Sequence, residues 1–160
     1  MDPITITRYA RLLAVPIPFA LAGYSFAFSQ NAVPLTYDLP AEQSTPIFRG
    51  VYTQGAAVVA PGGILGAASA AWLAYSLPEQ QRVWATIAVM NLMPLVWTGL
   101  VMNTGIQRLL EIGKDKGKMA KATSNLEVRQ LLGRWVLQNY VRAGFYIVSG
   151  VLAWRATMVV

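Results

Sequence analysis

The chain contains no cysteine and no histidine. The first absence excludes disulfides, thiolate metal ligands and a thiol nucleophile, and it leaves the redox compartment unmarked. The second removes the commonest metal ligand and the commonest general base. Charge is scarce as well: 12% of the 160 residues are Asp, Glu, Lys or Arg, against about 25% in an ordinary soluble domain. The acids are Asp2, Asp38, Glu42, Glu79, Glu111, Asp115 and Glu127, all outside the long apolar runs, so a carboxylate-only metal cluster inside the fold is not expected.

What is abundant is apolar surface. Hydrophobic residues make up 55% of the chain, and Leu12 to Tyr37, Gly50 to Pro78 and Val83 to Gln107 contain no charge at all. Each run exceeds the roughly 20 residues that span a bilayer as a helix. A fourth run, Trp135 to Trp154, is interrupted only by Arg142. A water-soluble bundle would need polar faces that these runs lack. A membrane β-barrel would alternate apolar and polar residues with turns about every ten residues, which they do not. Arg8 and Arg11 mimic the start of a secretory signal, but the apolar run continues to Tyr37, well beyond the roughly 7 to 15 residues of such signals, so it reads as a retained helix. The expected fold is all-α: one membrane domain over 1–160, a four-transmembrane-helix bundle with helices at about 8–32, 46–77, 82–110 and 126–156 and a basic loop at about 111–125.

Local signals fill in this frame. Pro16 and Pro18 kink or delay the first helix, and Tyr24, Phe28 and Asn31 share one of its faces. Thr45 before Pro46 reads as an N-cap for the second helix, whose opening turns carry Arg49, Tyr52 and Thr53. Further along, Pro61 bends that helix, and Gly62, Gly66, Ala70 and Ala74 recur every four residues as a seam for close helix packing. The short turn Leu77 to Gln81 makes the second and third helices antiparallel neighbours. On the third, Asn91, Thr98 and Met102 share a face, with Asn103 and Thr104 pointing elsewhere.

The polar stretch Arg108 to Arg134 reads as a basic surface loop or short interfacial helix, ending in a capping signal at Thr123 to Asn125. With Arg49 it gives eight basic residues on one side of the bilayer, against Arg8, Arg11, Arg82 and Arg155 on the other. The positive-inside rule then places the loop in the cytoplasm and both termini outside. The net charge of +6 is a membrane-surface feature. Because these residues flank apolar spans and do not interleave with exposed aromatics, no nucleic-acid partner is expected.

The fourth helix carries the clearest constellation. Trp135, Gln138, Asn139, Arg142, Tyr146 and Ser149 fall in one narrow stripe. Arg142 lies roughly 10 Å along the helix from Trp135, deep enough that its charge needs a partner or water. Two readings stay open: the side chain snorkels back to the interface or makes a purely structural hydrogen bond, or it faces a substrate among the polar groups one and two turns deeper.

Arg134-Trp135, Asn139 and Arg142 resemble the W-x3-N-x2-R signature in the last helix of the anthrone oxygenase-like family, small four-helix membrane proteins found in fungal polyketide gene clusters and in bacteria. Tyr52-x2-Gly55, Pro61 and Trp72-Leu73-Ala74-Tyr75 are similar to the family's second span, and Met102, Thr104, Leu109 and Leu110 to its third. The resemblance implies a multi-pass membrane enzyme of secondary-metabolite biosynthesis, in the endoplasmic reticulum or another internal membrane if fungal. Its reaction would be oxidation of an anthrone or related aromatic polyketide to a quinone, with molecular oxygen as co-substrate and no metal, flavin or other cofactor.

On that reading Arg142 and Asn139 hold the substrate's enolate oxygen, and Asp38 or a water accepts its proton. Trp135, Tyr146, Tyr24, Tyr52, Arg49, Asn91 and Thr98 contribute the substrate site. The partners are a hydrophobic aromatic small molecule and membrane lipid, with a homo-oligomer as a possible assembly. Two other readings remain: a non-oxidative cyclase or isomerase of a polyketide or terpenoid on the same scaffold, and a non-catalytic membrane scaffold or transporter subunit. Oxygen-dependent mass gain in the product separates the first from an oxygenase, and an active but Arg142-independent protein favours the second.

Overall fold

The computed structural model describes residues 2–124 and 126–158, all helical or in short turns with no strand among them. The first pass of the chain is a stack: α1 (Pro3–Ala14), α2 (Pro16–Ala27), a π-helical turn (Phe28–Ala32) and a 3-10 turn (Val33–Thr36). Asp2 caps α1, its Oδ1 accepting from the Thr5 N–H at 2.8 Å, so the helix begins ahead of the expected position. That backbone hydrogen bond holds the Asp2 carboxyl below its usual range. Pro16 has no N–H to continue the ladder, so the stack breaks at Val15 and restarts with Pro16 in the first turn of α2.

The second pass, α3 (Ala41–Ser76), runs 36 residues through both Pro46 and Pro61. It too starts earlier than its sequence signal. Thr45 is not a cap; its Oγ1 donates back to the Ala41 carbonyl at 2.8 Å. The real start is satisfied from elsewhere. Ala41 N donates to Thr123 Oγ1 at 3.0 Å, and the Pro40 carbonyl accepts from Gln43 N and Ser44 N, both at 3.0 Å. A 3-10 turn (Pro78–Gln80) reverses the chain into α4 (Gln81–Trp97), which passes through a second π-helical turn (Thr98–Met102) into α5 (Asn103–Ile112).

The expected basic loop is mostly helix. After Ile112 the chain re-enters a helix at Lys116, α6 (Lys116–Ser124), before α7 (Glu127–Met158). Thr123 serves the start of α3, while Asn125, at the other end of the expected capping signal, lies outside the described residues. A bidentate ion pair, Arg108 Nε to Glu127 Oε1 at 2.6 Å and Nη2 to Oε2 at 3.2 Å, ties α5 to the start of α7.

The long elements form a ring. The α1–α2 stack packs against α3 and α7, α4 packs against α3 and α7 from the opposite side, and α3 and α7 scarcely touch across the diagonal. The small-residue seam on α3 faces inward through Gly63, Gly66, Ala67 and Ala70. A Cβ added at Gly66 would lie 2.8 Å from Asn91 Oδ1, and one at Gly63 would lie 2.9 Å from the Tyr146 hydroxyl. Gly62 packs against Leu21 instead. The room the glycines leave is therefore taken largely by polar groups from α4 and α7.

Three segments, Pro3–Thr36, Ala41–Ser76 and Pro78–Ile112, are long and apolar enough to cross a membrane, and on this basis the chain is a membrane protein. The fourth expected span falls short of the same measure. α7 has the length, but Gln138, Asn139 and Arg142 lower the mean hydropathy of its apolar stretch.

Candidate functional site

In the half of the bundle nearer α6 the ring does not close on itself and leaves a cavity of about 300 Å³. That is at the small end of ligand sites, which run from about 300 to 1,000 Å³. Tyr24, Ser25 and Phe28 form the wall from the first stack, and Tyr52, Gly55, Ala56 and Val59 form it from α3. Opposite them stand Leu95, Thr98, Gly99 and Asn103 on the third pass and Trp135, Asn139 and Arg142 on α7.

Asn139 ties α7 to the first stack where α2 passes into its π-helical turn. Its Nδ2 donates to the Ser25 carbonyl at 2.8 Å and to Ser29 Oγ at 2.7 Å, while Ser29 Oγ donates to the same Ser25 carbonyl at 3.1 Å. Because a carbonyl can only accept, the amide nitrogen must face it, and Oδ1 is left buried without a protein partner. This revises the expected role of Asn139. Both amide hydrogens are already used, so what it can offer a ligand is an acceptor.

Arg142, one turn deeper, reaches across to the third pass. Its Nη1 donates to Thr98 Oγ1 at 3.3 Å, and that hydroxyl donates to the Pro94 carbonyl at 2.7 Å. Its Nε is buried with no partner, and no carboxylate forms an ion pair with it among the described residues. The side chain lines the cavity, which is the inward reading of the two. Trp135 sits edge-on to Phe48 with ring centroids 5.6 Å apart, and its indole Nε1–H is also buried and unpartnered, as is Ser25 Oγ. Four side chains around the cavity, Ser25 on the first stack and three on α7, therefore carry spare hydrogen-bonding capacity in a region where each unmade bond is costly.

The second π-helical turn resets the third pass. An i to i+5 turn brings Thr98 and Asn103 onto the same face, so Asn103 joins the wall although regular α-helical spacing points it elsewhere. Met102 stays beside Thr98, whose hydroxyl lies 3.9 Å from its sulfur, and packs into the core with Phe48 and Leu109. Pro94, one turn earlier, cannot donate to the ladder, and π adjustments are a common response to such a gap in membrane helices. The first π-helical turn likewise leaves Asn31 exposed, off the face of Tyr24 and Phe28.

Of the expected site residues, Tyr24, Tyr52, Thr98, Trp135, Asn139 and Arg142 come together around the cavity. Tyr146 is fully buried beneath it, its hydroxyl unpartnered beside Gly63. Asn91 is deeper still: its Nδ2 donates to Ser149 Oγ at 2.8 Å and to the Ile87 carbonyl at 3.0 Å, while its Oδ1 is buried without a partner. Arg49 is exposed and lines a separate crevice of about 180 Å³ with Pro46 and Lys114, between α3 and the end of α5. Asp38 is also placed apart. Arg129 draws it to the surface in a 3.0 Å ion pair with its side chain 86% exposed, where it cannot take a proton from the cavity. Ser25 and Gly99 were not singled out by the sequence, and Gly55 was marked only through the family resemblance. The Ser25/Ser29 pair, polar residues one turn apart inside an apolar run, was the available signal for the first of them.

No group of three or more Asp, Glu, His or Cys side chains is gathered as a metal site among the described residues. No curated protein and no solved structure matches the chain. The sequence model of the anthrone oxygenase family does match, over residues 48–152. That stretch holds the second and third passes and the Trp135, Asn139 and Arg142 wall, well over half of the chain, and on it the protein belongs to the anthrone oxygenase family.

Proposed function

We propose that this protein is a membrane-embedded oxygenase that converts an anthrone, or a related electron-rich aromatic polyketide, to the quinone with molecular oxygen and without metal or flavin. The observation that carries this reading is the cluster of unpartnered polar atoms on Ser25, Trp135, Asn139 and Arg142, set in an otherwise largely apolar cavity whose α7 wall lies within the family match. A flat tricyclic ligand with one carbonyl suits such a site, with rings against Tyr24, Phe28 and Tyr52 and oxygen toward Arg142.

The chemistry balances without an added redox group. The anthrone methylene loses a proton, giving an enolate whose negative oxygen is held by Arg142 and the Trp135 N–H. The enolate passes one electron to oxygen, and the resulting radical and superoxide combine and take up a proton to form a hydroperoxide at the same carbon. Loss of water from that hydroperoxide leaves the second carbonyl. Overall, anthrone and one O2 give quinone and one water. Asn139 Oδ1 would accept from a hydroxyl of the substrate and orient it. Asp38 being outside the cavity, a water is the proposed proton acceptor.

We place α7 across the membrane as the fourth span. Its outward side chains Leu137, Val141, Ile147, Val148 and Val151 are exposed apolar groups, as on the other passes, while Asn139, Tyr146 and Ser149 face the bundle. The α6 end then lies in the cytoplasm, and labelling of Lys118→Cys only from the outer side would overturn that orientation. The central test incubates the purified protein with an anthrone under oxygen and under argon. Oxygen-dependent quinone with incorporation of one atom from 18O2 is expected. An isomeric product formed equally under argon would instead identify a cyclase or isomerase.

A further inference from the structure

The opposite end of the bundle carries a recess that the oxygenase reading leaves unused. It is an open groove of about 1,090 Å³ between α1, the last turns of α3 and the end of α7. Arg8 and Arg11, three residues apart on one face of α1, both line it. Neither forms an ion pair among the described residues, and Arg11 Nε is buried without a hydrogen-bond partner. The α3 side supplies Trp72, Tyr75 and the Ser76 hydroxyl. Trp72 Nε1 donates to Thr7 Oγ1 at 3.2 Å, which ties the two walls together. Of the carboxylates nearby in sequence, Asp2 is engaged as the α1 cap, and Glu79, three residues past Ser76, does not line the groove.

These groups stand at the beginning of one apolar span and the end of the next, the level at which lipid phosphates lie and at which Trp and Tyr concentrate. Two guanidinium groups with hydroxyls beside them match the oxygens of a phosphate. Leu12 and Val15 continue the groove toward the bilayer centre as an apolar surface on which an acyl chain can lie. Simple snorkelling would spread anion affinity over every arginine at this end, whereas the groove concentrates it on two.

We propose that this groove is a phosphate site for an anionic phospholipid, with Arg8 and Arg11 as the clamp. The purified protein in a neutral detergent is titrated with phosphatidylglycerol, with phosphatidylcholine and with inorganic phosphate, reading melting temperature and, for the lipids, bound molecules by native mass spectrometry. Saturable binding of phosphatidylglycerol is expected, weakened about tenfold or more in an Arg8→Gln/Arg11→Gln variant, as charge-assisted hydrogen bonds of this kind imply. The exposed Arg8→Gln change alone should give part of that loss with the fold intact. Arg82→Gln/Arg155→Gln, which removes the same charge from the same end, should bind as wild type. Saturation by inorganic phosphate that vanishes in the Arg8/Arg11 variant would support the phosphate site and assign it to a free phosphate. Equal binding of phosphatidylcholine, unchanged binding in the Arg8/Arg11 variant, or equal weakening in the Arg82/Arg155 control would overturn the proposal.

Discussion

The two halves of the bundle are made from the same four passes of chain, yet one is filled and the other is hollow. Near the α3–α4 turn, Ala10, Ala14, Ala70, Ala153 and Ala156 let the helices close around Leu73, Trp84 and Ile87, and the indole N–H groups there are bonded, Trp84 Nε1 to Gln80 Oε1 at 2.9 Å and Trp72 Nε1 to Thr7 Oγ1 at 3.2 Å. Near α6, aromatic residues and two π-helical turns hold the helices apart, and Ser25, Trp135, Asn139 and Arg142 keep unpaired polar atoms around the space. Lipid provides no hydrophobic drive between helices, so the filled half depends on close approach of small side chains. The hollow half lacks that close packing and keeps costly unpaired groups, an arrangement expected where a ligand or water completes the bonds.

The largest effect should come from Arg142→Met, which keeps an unbranched side chain and removes the charge. Turnover of an anthrone should fall by about two to three powers of ten, the usual loss for one preorganised oxyanion donor. The melting temperature should hold or rise, because an unpaired buried charge is removed with the change. Near-wild-type turnover in the folded variant would remove Arg142 from the site.

Two glycines on the same helix then set the halves against each other. At Gly66 a Cβ already meets Asn91 Oδ1 at 2.8 Å, so Gly66→Leu should destabilise by about 1–3 kcal/mol or more through overpacking. At Gly55 no atom lies within 4 Å of an added Cβ and the residue lines the cavity. Gly55→Leu should therefore fold normally and lose about tenfold or more in kcat/KM, on the scale by which pockets discriminate added methylene groups. Equal melting temperatures for the two variants would mean that the halves do not differ in packing as described.

Asn139→Ala tests whether this residue is a clamp or a donor. It removes two buried hydrogen bonds to the first stack, so a stability loss of about 1–3 kcal/mol is expected. Turnover at a temperature where the variant is folded should fall less than in Arg142→Met. A loss of turnover equal to that of Arg142→Met, without any change in melting, would restore Asn139 as an oxyanion donor. The smallest effect belongs to Asp38→Asn, which breaks an exposed ion pair worth about 0–1 kcal/mol. Activity should be unchanged across pH, and a lost acidic limb in the pH–rate profile would show that Asp38 acts as the base after all.

The sequence by itself determined the helical class, the three uncharged spans and the inward stripe on α7, because charge exclusion and the 3.6-residue period depend only on the order of side chains. For the same reason it brought Tyr24, Tyr52, Thr98, Trp135, Asn139 and Arg142 within reach of one site. Where the helices begin was decided by tertiary structure. The start of α3 is capped by Thr123, a hydroxyl 82 residues away, and no local pattern carries that information. No local pattern marks the two π-helical turns either, and at one of them Asn139 of α7 bonds across to Ser25 and Ser29. Each such turn shifts the helical register by a residue, which is why Asn103 enters the cavity wall while Asn31 leaves its face. Asp38 left the site for a comparable reason: its only strong partner, Arg129, lies on another helix at the surface, and an ion pair between distant segments forms only once the fold has brought them together.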